Sequence, residues 1–105
     1  MENNEGKNIF DFYCEYTENK RIKYTKSRQT LMKSVLKEIK GYEAVGIIHY
    51  IFESEDEYAL YMRNNNYCSF ENIFRITKLA DKDRRAKLWL KSKELPEDDF
   101  GWEIK

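Results

Sequence analysis

Apolar residues recur along most of this chain at helical rather than strand spacing. A polar, acidic stretch over residues 1–7 predicts a disordered lead. Asn8 then caps a first helix with Ile9, Phe10, Phe12, Tyr13 and Tyr16 on one face and Asp11, Glu15 and Glu18 outside. That helix is expected to stop near Asn19. Residues 20–25 form a basic connector that admits a short extended segment, because Ile22 and Tyr24 alternate with Arg21 and Lys23. The clearest element runs from Ser27 to Lys40. Leu31, Met32, Val35, Leu36 and Ile39 make its apolar stripe, and Lys26, Lys33, Lys37 and Lys40 project from the opposite side. Gly41 is expected to close this helix in the left-handed conformation.

Tyr42–Phe52 is ambiguous by pattern: Ala44, Val45, Ile47, Ile48, Ile51 and Phe52 suit a wide helical face, and their β-branched content also suits a buried strand. The absence of an obvious partner strand favours helix. Ser54 with Glu57 resembles a capping box opening a short helix through Tyr58, Tyr61 and Met62. Asn64–Asn66 reads as a loop, since asparagine side chains compete with helical bonding. Ser69 caps the next helix, whose face is Phe70, Ile73, Phe74 and Thr77. The apolar phase slips at Leu79 and Ala80, which predicts a kink or a fresh start near Asp81, after which Ala86, Trp89 and Leu90 face inward and Arg84, Lys87 and Lys91 face out. Pro96 ends helical structure, leaving an acidic-aromatic tail over residues 94–105. The expected architecture is one all-α domain over residues 8–93, a compact bundle of five or six short helices.

Composition fits this reading. The 105 residues suffice for one domain, and four glycines with one proline are too few for a many-turned β-sandwich. Fourteen Phe and Tyr residues supply much of the core. A net charge of zero hides a blocky distribution. Eight cations from Lys20 to Lys40 share their stretch with one acid, Glu38, and a second basic stretch runs from Arg75 to Lys93 with only Asp81 and Asp83 interrupting. Cys14 and Cys68 lack metal-ligand spacing and point to two reduced thiols. No targeting segment or membrane-length apolar run occurs, so a cytoplasmic protein with no membrane partner is expected.

Catalytic signatures are missing: no phosphate-cradling glycine loop, nucleophile elbow or zinc spacing is present, and the single histidine, His49, reads as a hydrogen-bonded structural residue. The expectation is no enzyme and no cofactor. A metal-dependent nuclease built on Glu53, Glu55, Asp56 and Glu57 is the residual catalytic reading; those acids equally suit a solvated helix N-terminus. The stripe Lys26, Lys33, Lys37 and Lys40 is more informative. Lysine-rich helix faces are commonly just solvated, but this one lacks the interspersed glutamates that usually offset them. Phosphate is the natural counter-charge, with Arg84, Arg85, Lys87 and Lys91 as a second set of contacts if they fold onto the same side. Tyr24 and Tyr67 are loop candidates for stacking on bases. Phe100 and Trp102 in the tail are candidates for packing on the domain or docking a protein partner.

One resemblance accompanies these features. Ile9-Phe10-Asp11-Phe12-Tyr13, Lys20-Arg21, Ser27-Arg28 with Leu31 and Leu36, and Gly41-Tyr42 follow in an order that resembles the conserved C-terminal domain of phage replication proteins, the replisome-organiser group related to DnaD-type primosome proteins. Tyr61-Met62-Arg63 and Ile73-Phe74 match further steps of that pattern. The resemblance implies a DNA replication accessory of bacteriophage type whose partner is DNA or a replication protein. A protein–protein adaptor, or a small phage inhibitor of a host nucleic-acid-processing protein, is the alternative. Oligomeric state is not encoded in any motif, and a homodimer stays open.

Overall fold

Residues 4–93 are described by the structure, a computed structural model. Six α-helices and one 3-10 turn succeed one another: α1 (Glu5–Thr17), α2 (Lys26–Glu38), α3 (Gly41–Glu53), α4 (Glu57–Asn64), α5 (Phe70–Ile73), the 3-10 turn (Ile76–Lys78) and α6 (Leu79–Ser92). No strand occurs among the described residues, and the fold is all-α, as the periodicity predicts. The tail, with Phe100 and Trp102, lies outside the described residues.

The ambiguous segment is the centre of the molecule. Helix α3 buries Ala44, Val45, Ile47, Ile48, Tyr50 and Ile51 completely, and α1, α4, α5 and α6 all pack on it. A helix apolar on nearly every side needs cover on every side, and four neighbours supply it. Gly46 helps by presenting no side chain where the helix is buried. Around α3, Phe10, Tyr13 and Phe74 each meet Phe70 edge-on, with ring centroids 5.1–5.4 Å apart.

Helix ends depart from the sequence expectations in four places, each for a local reason. The first helix begins at Glu5 with Asn4 in the capping position, so residues 5–7 are helical and Asn8 is not the cap. Gly6 explains the extension, since it is buried where α1 meets Tyr24 and Met32, with no room for a β-carbon. Gly41 does not close α2: that helix ends at Glu38, Ile39 and Lys40 are extended, and Gly41 is the first residue of α3. A β-carbon at Gly41 would meet the Glu5 carboxylate, which would have to swing aside, so the glycine lets that side chain lie close against the start of α3. The left-handed positions fall instead at Glu18 (φ 56°), which ends α1, and at Asn66 (φ 59°).

Third, Ser54 and Glu57 do not form the capping box. Asp56 caps α4 by accepting from the Ala59 N–H at 2.9 Å, while Ser54 ends α3 and accepts from the Asp56 N–H at 3.1 Å. The same Asp56 carboxylate accepts the Tyr50 hydroxyl proton at 2.7 Å, tying cap to core. Fourth, α5 lasts only four residues, so Thr77 falls in the 3-10 turn and is exposed. The fresh start of the last helix comes at Leu79, which is buried and opens α6 rather than pointing away. The Ser69 cap is present, accepting from the Asn72 N–H at 3.2 Å.

Candidate nucleic-acid interface

Helix α2 is positioned by its apolar stripe. Met32 and Val35 are buried, Leu31 and Leu36 pack against the core, and Thr25 caps the start by accepting from the Arg28 N–H at 3.3 Å. At 100° per residue, Lys26, Lys33 and Lys37 fall within a narrow sector opposite that stripe. All three are exposed, as is Lys40 just past the helix end. Among the described residues none of the four makes an ion pair. Lys20, Arg21 and Lys23, in the connector leading into α2, are likewise exposed and outside every ion pair.

Arg28 behaves differently from its lysine neighbours. It lies on the apolar side of α2, pairs with Glu71 of α5, donates to the Lys23 carbonyl at 2.7 Å and stands 6.0 Å from the Phe10 ring centre. It fastens the connector and α5 to α2. Burial works against ionisation of Glu71, but the Arg28 guanidinium outweighs it and holds the carboxyl below the usual carboxylate range.

Within the second basic stretch, Arg84, Arg85 and Lys87 are paired inside the molecule. Arg84 and Arg85 both grip Asp81 at 2.7 Å, and Arg85 also covers the Tyr58 ring at 4.5 Å. Lys87 turns from solvent to pair with Glu43 of α3 and with Asp83 at 3.1 Å. Burial opposes ionisation of Glu43, yet the Lys40 N–H and the Lys87 ammonium keep its pKa below the ordinary value. Lys91 is exposed. The two basic helices also rest on different supports, α2 on α1 and α6 on α3. The predicted residues thus divide: Lys26, Lys33, Lys37 and Lys40 are exposed and outside every ion pair among the described residues, whereas Arg84, Arg85 and Lys87 have internal carboxylate partners.

Of the four acids that the sequence offers for a metal site, Glu53 and Asp56 are engaged in the fold. Glu53 accepts from the Tyr16 hydroxyl and meets Nδ1 of His49 at 2.7 Å, and the imidazole sits against the Phe12 and Tyr16 rings at 5.4 and 5.3 Å. Asp56 is the α4 cap, and Glu55 and Glu57 are exposed. Among the described residues no three His, Cys, Asp or Glu side chains converge as a metal set. Cys14 and Cys68 are unlinked, and burial pushes both thiols up.

Of the two tyrosines singled out for stacking, Tyr24 packs against Phe10 with ring centres 5.1 Å apart. Tyr67 is exposed and meets Tyr61, which is 53% exposed on α4. The pair borders a cleft whose other wall carries Arg75, Lys78 and Lys82. The signal that could have found this cleft is local: two tyrosines on either side of an asparagine run, followed by the cations Arg75 and Lys78.

No family model, curated protein or solved structure matches this chain. No described helix is long and apolar enough to cross a membrane.

Proposed function

We propose that this protein is a small non-catalytic module that binds DNA by its phosphates along α2, without base-specific readout, as an accessory to replication of the phage type. One observation carries the reading: the α2 lysines form an exposed, single-sign row with no carboxylate within ion-pair distance among the described residues, while Arg84, Arg85 and Lys87 of α6 are matched by acids. Like charges along one helix face repel, and an external polyanion relieves that repulsion. The residue pattern resembling replisome-organiser C-terminal domains supports the choice of DNA as the polyanion and replication as the setting.

The test is duplex binding across a salt series. Affinity should fall steeply with salt, because each neutralised phosphate releases condensed counterions. The double variant Lys33→Gln/Lys37→Gln should bind more weakly and show a log–log salt slope shallower by about two, roughly one per lost phosphate contact. Salt-independent binding, or none at low salt, sinks the reading and turns attention to a protein partner of the adaptor kind.

A further inference from the structure

The cleft between α4, α5 and the 3-10 turn encloses about 550 Å³. Three tyrosines, Tyr58, Tyr61 and Tyr67, and three cations, Arg75, Lys78 and Lys82, line it. The tyrosines are not equivalent. Tyr58 is half-buried, and the Arg85 guanidinium lies over its ring. Tyr61 and Tyr67 are 53% and 42% exposed and meet edge to face with centroids 5.6 Å apart. Most other large aromatics in the described residues are drawn into the core or packed against it, so this exposed pair stands apart.

The cations are not equivalent either. Lys82 is buried, and its ammonium donates to the Asn72 carbonyl and, at 3.1 Å, to that of Ile73. It closes the C-terminal end of α5 and fixes that wall of the cleft. Arg75 donates to the Asn72 side-chain oxygen at 2.7 Å, and Arg75 and Lys78 are both exposed. None of the three has a carboxylate within ion-pair distance among the described residues, and the acid in this neighbourhood, Asp81, is held by Arg84 and Arg85. An apolar peptide would leave these charges uncompensated, and a bare phosphate would leave the rings in water. A flat ring carrying a phosphate satisfies both walls.

We propose that this cleft holds an unpaired nucleotide of single-stranded DNA, its base against Tyr61 and Tyr67 and its phosphate on Arg75 and Lys78. The ligand class rests on the nucleic-acid reading above; the site does not depend on α2. A base stacked inside a duplex cannot reach the tyrosine rings, so the cleft selects single strands while the α2 lysines accept either form.

The experiment is fluorescence anisotropy with labelled hexathymidylate and a labelled short duplex, using the wild-type protein, Tyr61→Ala/Tyr67→Ala, Tyr61→Phe/Tyr67→Phe and Lys33→Gln/Lys37→Gln. The alanine pair should weaken hexathymidylate about 5- to 150-fold, the range expected for losing a stacked base, and leave duplex binding within about twofold. The phenylalanine pair should retain single-strand binding, since it keeps the rings. Circular dichroism and melting temperature confirm that each variant is folded. Equal loss on both probes, or no loss on hexathymidylate, overturns the cleft assignment, and the second result leaves the α2 reading standing. Tyrosine-dependent hexathymidylate binding without any duplex binding upholds the cleft and sinks the α2 reading. Competition by free thymidine monophosphate as strong as by hexathymidylate overturns the assignment to a strand and marks a mononucleotide site.

Discussion

At the scale of single residues, Lys82 is the most consequential side chain that periodicity does not single out. The residue is 2% exposed, and its ammonium has two carbonyls but no carboxylate within ion-pair distance among the described residues. Burial, reinforced by the neighbouring Arg75 charge, lowers its pKa from 10.5 to about 8. A lysine whose folded pKa lies below its unfolded value binds fewer protons when native, so stability rises with pH between those two values. The thiols Cys14 and Cys68, pushed up by burial, act in the opposite sense above their ordinary pKa of 9.0. The buried tyrosines Tyr13 and Tyr50 do the same above 10.0. The Lys82 effect is therefore cleanest from about pH 7.5 to about 9. Urea unfolding across that window should show the wild-type protein gaining stability relative to Lys82→Met; parallel curves would remove the burial argument.

At the scale of elements, helix α4 depends on one carboxylate. Asp56 caps its first turn and also accepts the hydroxyl proton of the fully buried Tyr50. Asp56→Ala should cost about 2–3 kcal/mol in urea unfolding, combining a lost cap with a lost charged hydrogen bond. Tyr50→Phe, which removes only the second bond, should cost about 1 kcal/mol. Element identity was legible in the sequence: the six helices, the basic connector and the core stripe of α2 follow from spacing. Their ends were less so. Gly41 and Ser54 carry the right chemistry for a stop and a start, and each serves a different purpose because of residues distant in sequence or a stronger competitor nearby. Glu5 fills the space beside Gly41, and Asp56 outcompetes Ser54 for the α4 cap. The candidate site divides the same way. The α2 lysines were legible because their face is defined within one helix. The pairing of Lys87 with Glu43 spans α3 and α6, and no local pattern announces it.

At the scale of the whole molecule, four of the other helices are assembled on α3. Its residues Ala44, Val45, Ile47, Ile48 and Ile51 are fully buried, and helices from both sides of the sequence cover them. No partial opening frees these amides without dismantling several contacts, so their exchange should require global unfolding. Hydrogen–deuterium exchange followed by mass spectrometry should find the α3 segment the slowest in the chain and the 20–25 connector among the fastest. Fast exchange within α3 would mean that the bundle opens in pieces.

The order of these elements along the chain matters while the protein is being made. The packing of α3 against α6 is the most extensive between any two helices here, yet α4, α5 and the 3-10 turn are synthesised between them. A nascent chain leaving the ribosome therefore presents the face of α3 that carries Gly46 and Tyr50 to solvent before its cover exists. Translation past α6 is the step that ends this exposure, so stalling within the intervening segment should yield a chaperone client or an aggregate rather than a smaller folded bundle.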